Sequence, residues 1–206
     1  MASILYMSMS LDGFIAGPNA RIDAGLGDGG ERLHEWIFTS GVDVDTNGVE
    51  AATDGIRRSG SVNGRIMDEA MSTGAIVAGR GTFEPAGGWG GDHHDGVPIY
   101  IVARDKPGID ISQWPLVMYL SDVKVAMHRA KEAAGERNVL VHGAGVTRLA
   151  LAAGVLDELE LHVVPVVFGE GRRLFDGPPS GHIELERTRV LAGEDGVTHL
   201  HYRVLQ

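Results

Sequence analysis

The feature that most constrains this chain is a recurring pattern: a short apolar run, then glycine or arginine, then a helical stretch. Residues 75–78 lead into Gly79-Arg80-Gly81-Thr82. Residues 98–103 end at Arg104. Residues 138–141 run into His142-Gly143-Ala144-Gly145. Such runs read as strands, and their alternation with helical stretches predicts an α/β fold: a mostly parallel central sheet with helices on both faces.

The remaining segments fit around that frame. Residues 3–10 read as the first strand, ending in the turn Leu11-Asp12-Gly13. Residues 17–30, rich in Gly, Asp and Asn, read as a loop. Leu33, Trp36 and Ile37 predict a short amphipathic helix over 31–38. Residues 40–64 are polar and glycine-rich and are expected to be the least ordered. A second helix spans 65–71 and stops at Gly74; residues 87–96 form a long loop and 116–120 a strand. Ser121 is expected to cap a helix whose apolar face is Val125, Met127 and Ala130. A helix follows over 147–153, ended by Gly154, then a long strand over 156–168. Residues 184–191 and 198–205 form an antiparallel hairpin about Gly193 and Gly196. With no linker visible, residues 1–206 are expected to make one domain.

Composition removes several function classes. The chain has no cysteine, which excludes a disulfide framework, a thiolate nucleophile and a Cys-ligated metal site. Its 28 acidic against 18 basic residues give a formal charge of −10, which argues against a nucleic-acid partner. An anionic ligand must therefore be held by local donors. No apolar run is long enough to span a membrane and no targeting segment is seen, so the expected compartment is the cytoplasm. Thirty glycines, about twice the usual share, point to sharp turns or close approaches to a ligand.

Gly143-Ala144-Gly145, between a strand and a helix, exposes backbone N–H groups suited to a phosphate. The same spacing also fits a tight turn that needs glycine for its own geometry. Gly79-Arg80-Gly81-Thr82 occupies the same context and adds a guanidinium, suited to forked phosphate contact. Arg104 follows the next strand. Each arginine alone reads as a solvated charge; their shared place after strands assigns them to one edge of the sheet, where open α/β sheets bind ligands. Asp12 reads first as a turn carboxylate. Asp92, His93, His94 and Asp95 carry metal-ligating groups, but adjacent ligands in a glycine loop lack fixed geometry and no metal is expected. His162, His199 and His201 fall on strands and read as structural or exposed.

These segments, in this order, resemble the dihydrofolate-reductase-like superfamily. More specifically, the chain resembles the reductase (C-terminal) domain of the bifunctional riboflavin-biosynthesis deaminase-reductase and its stand-alone bacterial relatives. The marks are SLDGFIAG at 10–17, AGRGTFE at 78–84, PIYIVAR at 98–104, VHGAGVTRL at 141–149 and VLDELELHVVPVVFGEGRRLF at 155–175.

The resemblance implies a reductase that uses NADPH. By matching position, Gly79, Arg80 and Thr82 hold the adenosine side, with Arg80 on the 2′-phosphate and Arg104 beside it. Gly143, Ala144, Gly145, Val146 and Thr147 cradle the pyrophosphate, and Ile15 and Ala16 line the nicotinamide pocket. Asp12 is the acid nominated near the nicotinamide, for substrate contact or proton relay; Trp36 and Trp89 are candidates to wall the substrate pocket, with core packing the role expected first for Trp36. Leu33 stands where folate reductases carry a pterin-binding carboxylate, with Glu31 and Glu35 off register. Phe14 stands where riboflavin-pathway reductases carry lysine, and Glu84 to Trp89 replace a second substrate motif. The implied activity is hydride transfer to a pyrimidine- or pterin-like small molecule, similar to the riboflavin-pathway 5-amino-6-(5-phosphoribosylamino)uracil reductase. The alternatives are dihydrofolate reduction and an NADPH-binding module without turnover. A homodimer is implied by family analogy.

Overall fold

The computed structural model describes residues 1–38, 60–177 and 182–205; most of the segment expected to be least ordered, 40–59, lies outside them. The strands are β1 (Ser3–Ser10), β2 (Phe14–Ala16), β3 (Ala75–Gly79), β4 (Ile99–Val102), β5 (Val117–Leu120), β6 (Val139–His142), β7 (Glu158–Val164), β8 (Arg172–Arg173), β9 (Leu185–Ala192) and β10 (Thr198–Val204). The helices are α1 (Val62–Met71), α2 (Arg80–Phe83), α3 (Val123–Ala134) and α4 (Ala144–Ala152).

Eight strands make one sheet in the order β5-β4-β3-β6-β1-β7-β10-β9. The strands from β5 to β7 pair in parallel; β10 runs antiparallel to β7, and β9 antiparallel to β10. The predicted sheet and terminal hairpin are therefore present. Because strand side chains alternate, the sheet feeds two cores. Leu5, Met7, Val77 and Val141 meet Ala126, Met127, Val146 and Ala150 of α3 and α4. Ile4, Ile76, Ile99 and Leu140 lie on the other face with Phe83 and Trp89. On that second face, Ile66 and Met67 of α1 pack with Leu33, Trp36 and Val164.

Several boundaries differ from expectation. Residues 31–38 form not one helix but two 3₁₀ turns, Gly30–Leu33 and Glu35–Ile37, broken at His34. The three-residue spacing of Leu33 and Trp36 suits a 3₁₀ turn as well as an α-turn. Asp122, not Ser121, caps α3: its carboxylate accepts from the Lys124 and Val125 N–H groups. The buried face of α3 is Ala126, Met127, Ala130 and Ala134, with Val125 exposed. Helix α4 begins at Ala144 rather than Thr147, and α1 starts early because Ser61 Oγ caps it through Gly64 N–H. Strand β7 stops at Val164 rather than 168, since Pro165 has no N–H for the ladder. Strands β2 and β8, absent from the expected order, form a separate antiparallel ribbon.

Candidate active site

The C-terminal ends of β3, β4 and β6 open onto a cleft of about 850 Å³. Gly79, Arg80, Thr82, Arg104, Ala144, Gly145 and Val146 all line it, so the three loops singled out in the sequence share one edge of the sheet. Gly143 and Thr147 sit directly behind. Gly143 ends β6 at φ 108° and precedes the first turn of α4. Thr147 is fully buried, and its hydroxyl donates to the Gly143 carbonyl at 2.7 Å. Among the described residues nothing stands where a side chain on Gly145 would project, and none of them covers the start of α4 there. An uncovered helix N-terminus offers free N–H groups and a partial positive charge.

Arg80 is half-exposed at the cleft rim. Its guanidinium lies 3.8 Å from Glu84 and 3.6 Å from Asp105, distances too long for tight pairs. Glu84 itself is firmly held: its Oε1 accepts from Gly108 N–H at 2.7 Å and from the Tyr119 hydroxyl at 3.0 Å. Glu84 therefore ties α2 to the loop after β4. Burial, with the Glu84 contact, pushes the Tyr119 hydroxyl well above its ordinary range, so it stays a donor.

Four further cations line the cleft: Lys124 of α3, Arg148 of α4, and Arg172 and Arg173 of β8. Arg172 donates to the Gly81 carbonyl at 3.0 Å, and Arg173 donates to the Asp12 carbonyl at 2.9 Å. The Arg173 guanidinium also lies over the Phe14 ring, 4.3 Å from its centroid, a cation–π contact. The run Gly171-Arg172-Arg173 is visible in the sequence, but its role depends on folding back across more than 90 residues to Gly81.

The other nominated residues lie outside the cleft lining. Asp12 accepts from the Ser10 hydroxyl at 2.6 Å, from Phe168 N–H at 3.1 Å and from Gly169 N–H at 2.7 Å. The Ser10 hydrogen bond first, then these backbone donors, hold the carboxyl down at about 2. Asp12 thus anchors the turn at 168–169. Ile15 is buried in the core beside Met7 and Leu174, and Ala16 is likewise buried.

Neither tryptophan walls the cleft. Trp36 is 2% exposed, donates its indole N–H to Ser8 Oγ at 2.9 Å and packs on His162 and His199. Trp89 is buried edge-on against Phe83 and His93. Both contribute packing, because their rings supply the bulk that fills the second sheet face. In the Asp92–Asp95 loop, His93 Nδ1 and His94 Nδ1 lie 2.8 Å apart, and His94 Nε2 faces the Thr73 carbonyl. Burial pushes His93 down to about 3 and His142, at the end of β6, down to about 4.

The model of the RibD C-terminal domain family matches residues 3–198. Among solved structures, the chain is similar to a protein assigned to riboflavin biosynthesis from Shewanella sp. PV-4, at 17% identity and TM-score 0.70, with all of both chains covered. It is similar to a pyrimidine reductase-like protein from Corynebacterium diphtheriae at 14% identity and TM-score 0.61, covering 100% of this chain and 92% of that one. It is also similar to dihydrofolate reductase from Enterococcus faecalis, solved with NADP(H), at 15% identity and TM-score 0.55, covering 100% and 97%. These identities show a shared fold. No curated protein sequence matches the chain.

Proposed function

This chain belongs to the RibD C-terminal domain family and is an oxidoreductase, and from that premise we propose that it takes NADPH into the cleft at the strand ends and reduces a pyrimidine- or pterin-like small molecule. Charge carries the reading. The chain has a formal charge of −10, yet among the described residues six basic and three acidic side chains line this cleft. A patch of reversed sign on an acidic protein is a local device for holding phosphates.

The donor set suits a dinucleotide phosphate. The start of α4 offers the backbone N–H groups of Ala144, Gly145 and Val146 to a pyrophosphate, with Gly143 and Thr147 framing the turn through the Thr147 N–H and hydroxyl on the Gly143 carbonyl. Arg80 and Arg104 offer guanidinium forks to a 2′-phosphate; the loose Glu84 and Asp105 contacts leave Arg80 free to exchange partners. Gly79 and Thr82 border the adenosine side, while Ile15 and Ala16, buried and outside the cleft lining, back the nicotinamide side from the core. NADPH supplies the hydride at nicotinamide C4; the protein supplies position and electrostatics. Asp12, ionised throughout the neutral range, acts as a positioning residue. It fixes the 168–169 turn through its carboxylate and Arg173 through its carbonyl.

The substrate side favours the pyrimidine over folate. Leu33 is fully buried at the position of the pterin carboxylate, while Glu35 is exposed and paired with Arg32. Reduction of 5-amino-6-(5-phosphoribosylamino)uracil or a close relative is the leading activity. A single domain over 1–206, a homodimer and a cytoplasmic location belong to the same reading. Among the described residues no helix is long and apolar enough to cross a membrane.

The test is consumption of NADPH by the purified protein with a panel of aminopyrimidines, and with dihydrofolate as comparison. Turnover with a pyrimidine supports the reading. Tight NADPH binding with no turnover on any pterin or pyrimidine replaces it with a binding module, and no binding removes it.

A further inference from the structure

On the sheet face away from α3 and α4, Glu160, His162 and His199 bring three ligand atoms within 4.8 Å of one another. All three residues are buried. Register creates the cluster: His162 on β7 pairs directly with His199 on β10, and Glu160 lies two residues along the same face. The His162 and His199 Nδ1 atoms are 2.9 Å apart.

The protons can be placed from the neighbours. Asn63 Nδ2 donates to the Trp36 carbonyl at 3.1 Å, which fixes the amide and turns its Oδ1 toward His199 Nε2 at 3.0 Å. An amide oxygen only accepts, so His199 Nε2 carries the proton and Nδ1 presents a lone pair to His162. Glu160 Oε2 accepts from Arg189 at 3.0 Å and is 2.8 Å from His201 Nδ1. Its other oxygen, Oε1, is buried with no hydrogen-bond partner among the described residues. A buried carboxylate oxygen left unpaired is costly. Glu69 and Glu158 stand close by, so three carboxylates face one guanidinium and one imidazole.

We propose that Glu160, His162 and His199 form a buried site for a divalent transition ion of the zinc class. Two imidazole nitrogens and a carboxylate are the donors such an ion takes, and nitrogens on a tetrahedral ion lie about 3.3 Å apart. The observed 2.9 Å needs an opening of only a few tenths of an ångström. Supporting partners are already in place: Asn63 orients His199, while Arg189 and His201 orient Glu160, the arrangement that holds metal ligands in one rotamer. The ion ties β7 to β10 and, through Asn63, to α1. The rival occupant is a proton shared between the two imidazoles.

The test uses the whole protein, stripped with a chelator and dialysed against dilute Zn²⁺ or Co²⁺. About one ion per chain by elemental analysis, a visible cobalt spectrum of tetrahedral type and a zinc-dependent rise in Tm are expected. His162→Gln and Glu160→Gln lose the ion, while the His93→Ala/His94→Ala double variant keeps it. Wild-type protein that stays at background metal, with Tm unmoved by zinc, overturns the site and leaves the shared proton. Full retention by a folded His162→Gln variant overturns it too, by placing the ion elsewhere.

Discussion

The hydroxyl of Thr82 occupies the space that a side chain on Gly143 would need. The loops after β3 and β6 are thus fitted to each other at the floor of the cleft, and Gly143 holds φ 108° there. Gly143→Ala meets both a steric clash and a backbone strain of about 1–3 kcal/mol. The expected result is a Tm lower by roughly 3–10 °C, with weaker NADPH binding. Gly145→Ala, which enters open space, is the control and leaves Tm nearly unchanged. Equal effects from the two substitutions contradict the fit.

Arg80 tests the phosphate assignment. Its pairs with Glu84 and Asp105 are long, so Arg80→Ala changes stability by no more than about 0.5 kcal/mol. A charge-assisted contact is worth about 1.5–3 kcal/mol, so the KM for NADPH rises roughly 10- to 150-fold. The KM for NADH, which lacks the 2′-phosphate, stays unchanged. An unaltered NADPH KM removes Arg80 from the site.

Asp12→Asn replaces an acceptor with a donor opposite Phe168 and Gly169. The ribbon of β2 and β8 loosens, and both Tm and kcat/KM fall. Since Asp12 ionises near 2 rather than at its ordinary 3.8, its contribution is present above that ordinary value and is lost as pH falls toward 2. The pH–rate profile of the variant therefore keeps the wild-type limbs between about pH 5 and 9. Loss of a limb in that range shows a proton-transfer role instead.

Buried histidines make the protein acid-labile. Burial lowers His93 to about 3 and His142 to about 4, and holds His162 well below its ordinary 6.5. These stay neutral in the folded chain while the unfolded chain takes up protons below 6.5, so stability is complete above that pH and declines as pH falls. Each histidine contributes a slope of about 1.4 kcal/mol per pH unit until its folded value is reached. His201, raised chiefly by its hydrogen bond to Glu160, acts oppositely: its contribution is complete below about 6.5 and is lost as pH rises above it. Urea unfolding at pH 7.5 and pH 5, values chosen to flank about 6.5, is expected to show a loss of several kcal/mol; equal stability contradicts the burial.

The segments around Gly79 and Gly143 show why much of the fold was legible. An apolar run followed by glycine and then a helix is a local pattern, and local patterns survive folding. Boundaries moved where a backbone feature replaced a side-chain signal, as when Gly143 starts α4 without a capping side chain. The β2–β8 ribbon was not legible because it joins two short segments about 160 residues apart. Their pairing rests on Asp12 reaching Phe168 and Gly169. Arg172 and Arg173 enter the cleft by the same long-range route. Trp36, on the apolar face of the stretch over 31–38, carries no sequence signal that separates a pocket wall from core packing; in the fold it packs against Ser8 and two histidines.

Thermal unfolding with NADPH, with NADH and with neither tests the central claim most directly. At 100 times its dissociation constant a ligand adds about 2.7 kcal/mol, a rise in Tm of roughly 5–10 °C for a chain of this size. A clear rise with NADPH at a concentration where NADH gives little is the predicted result. No shift with either nucleotide contradicts the assignment of this cleft as a cofactor site.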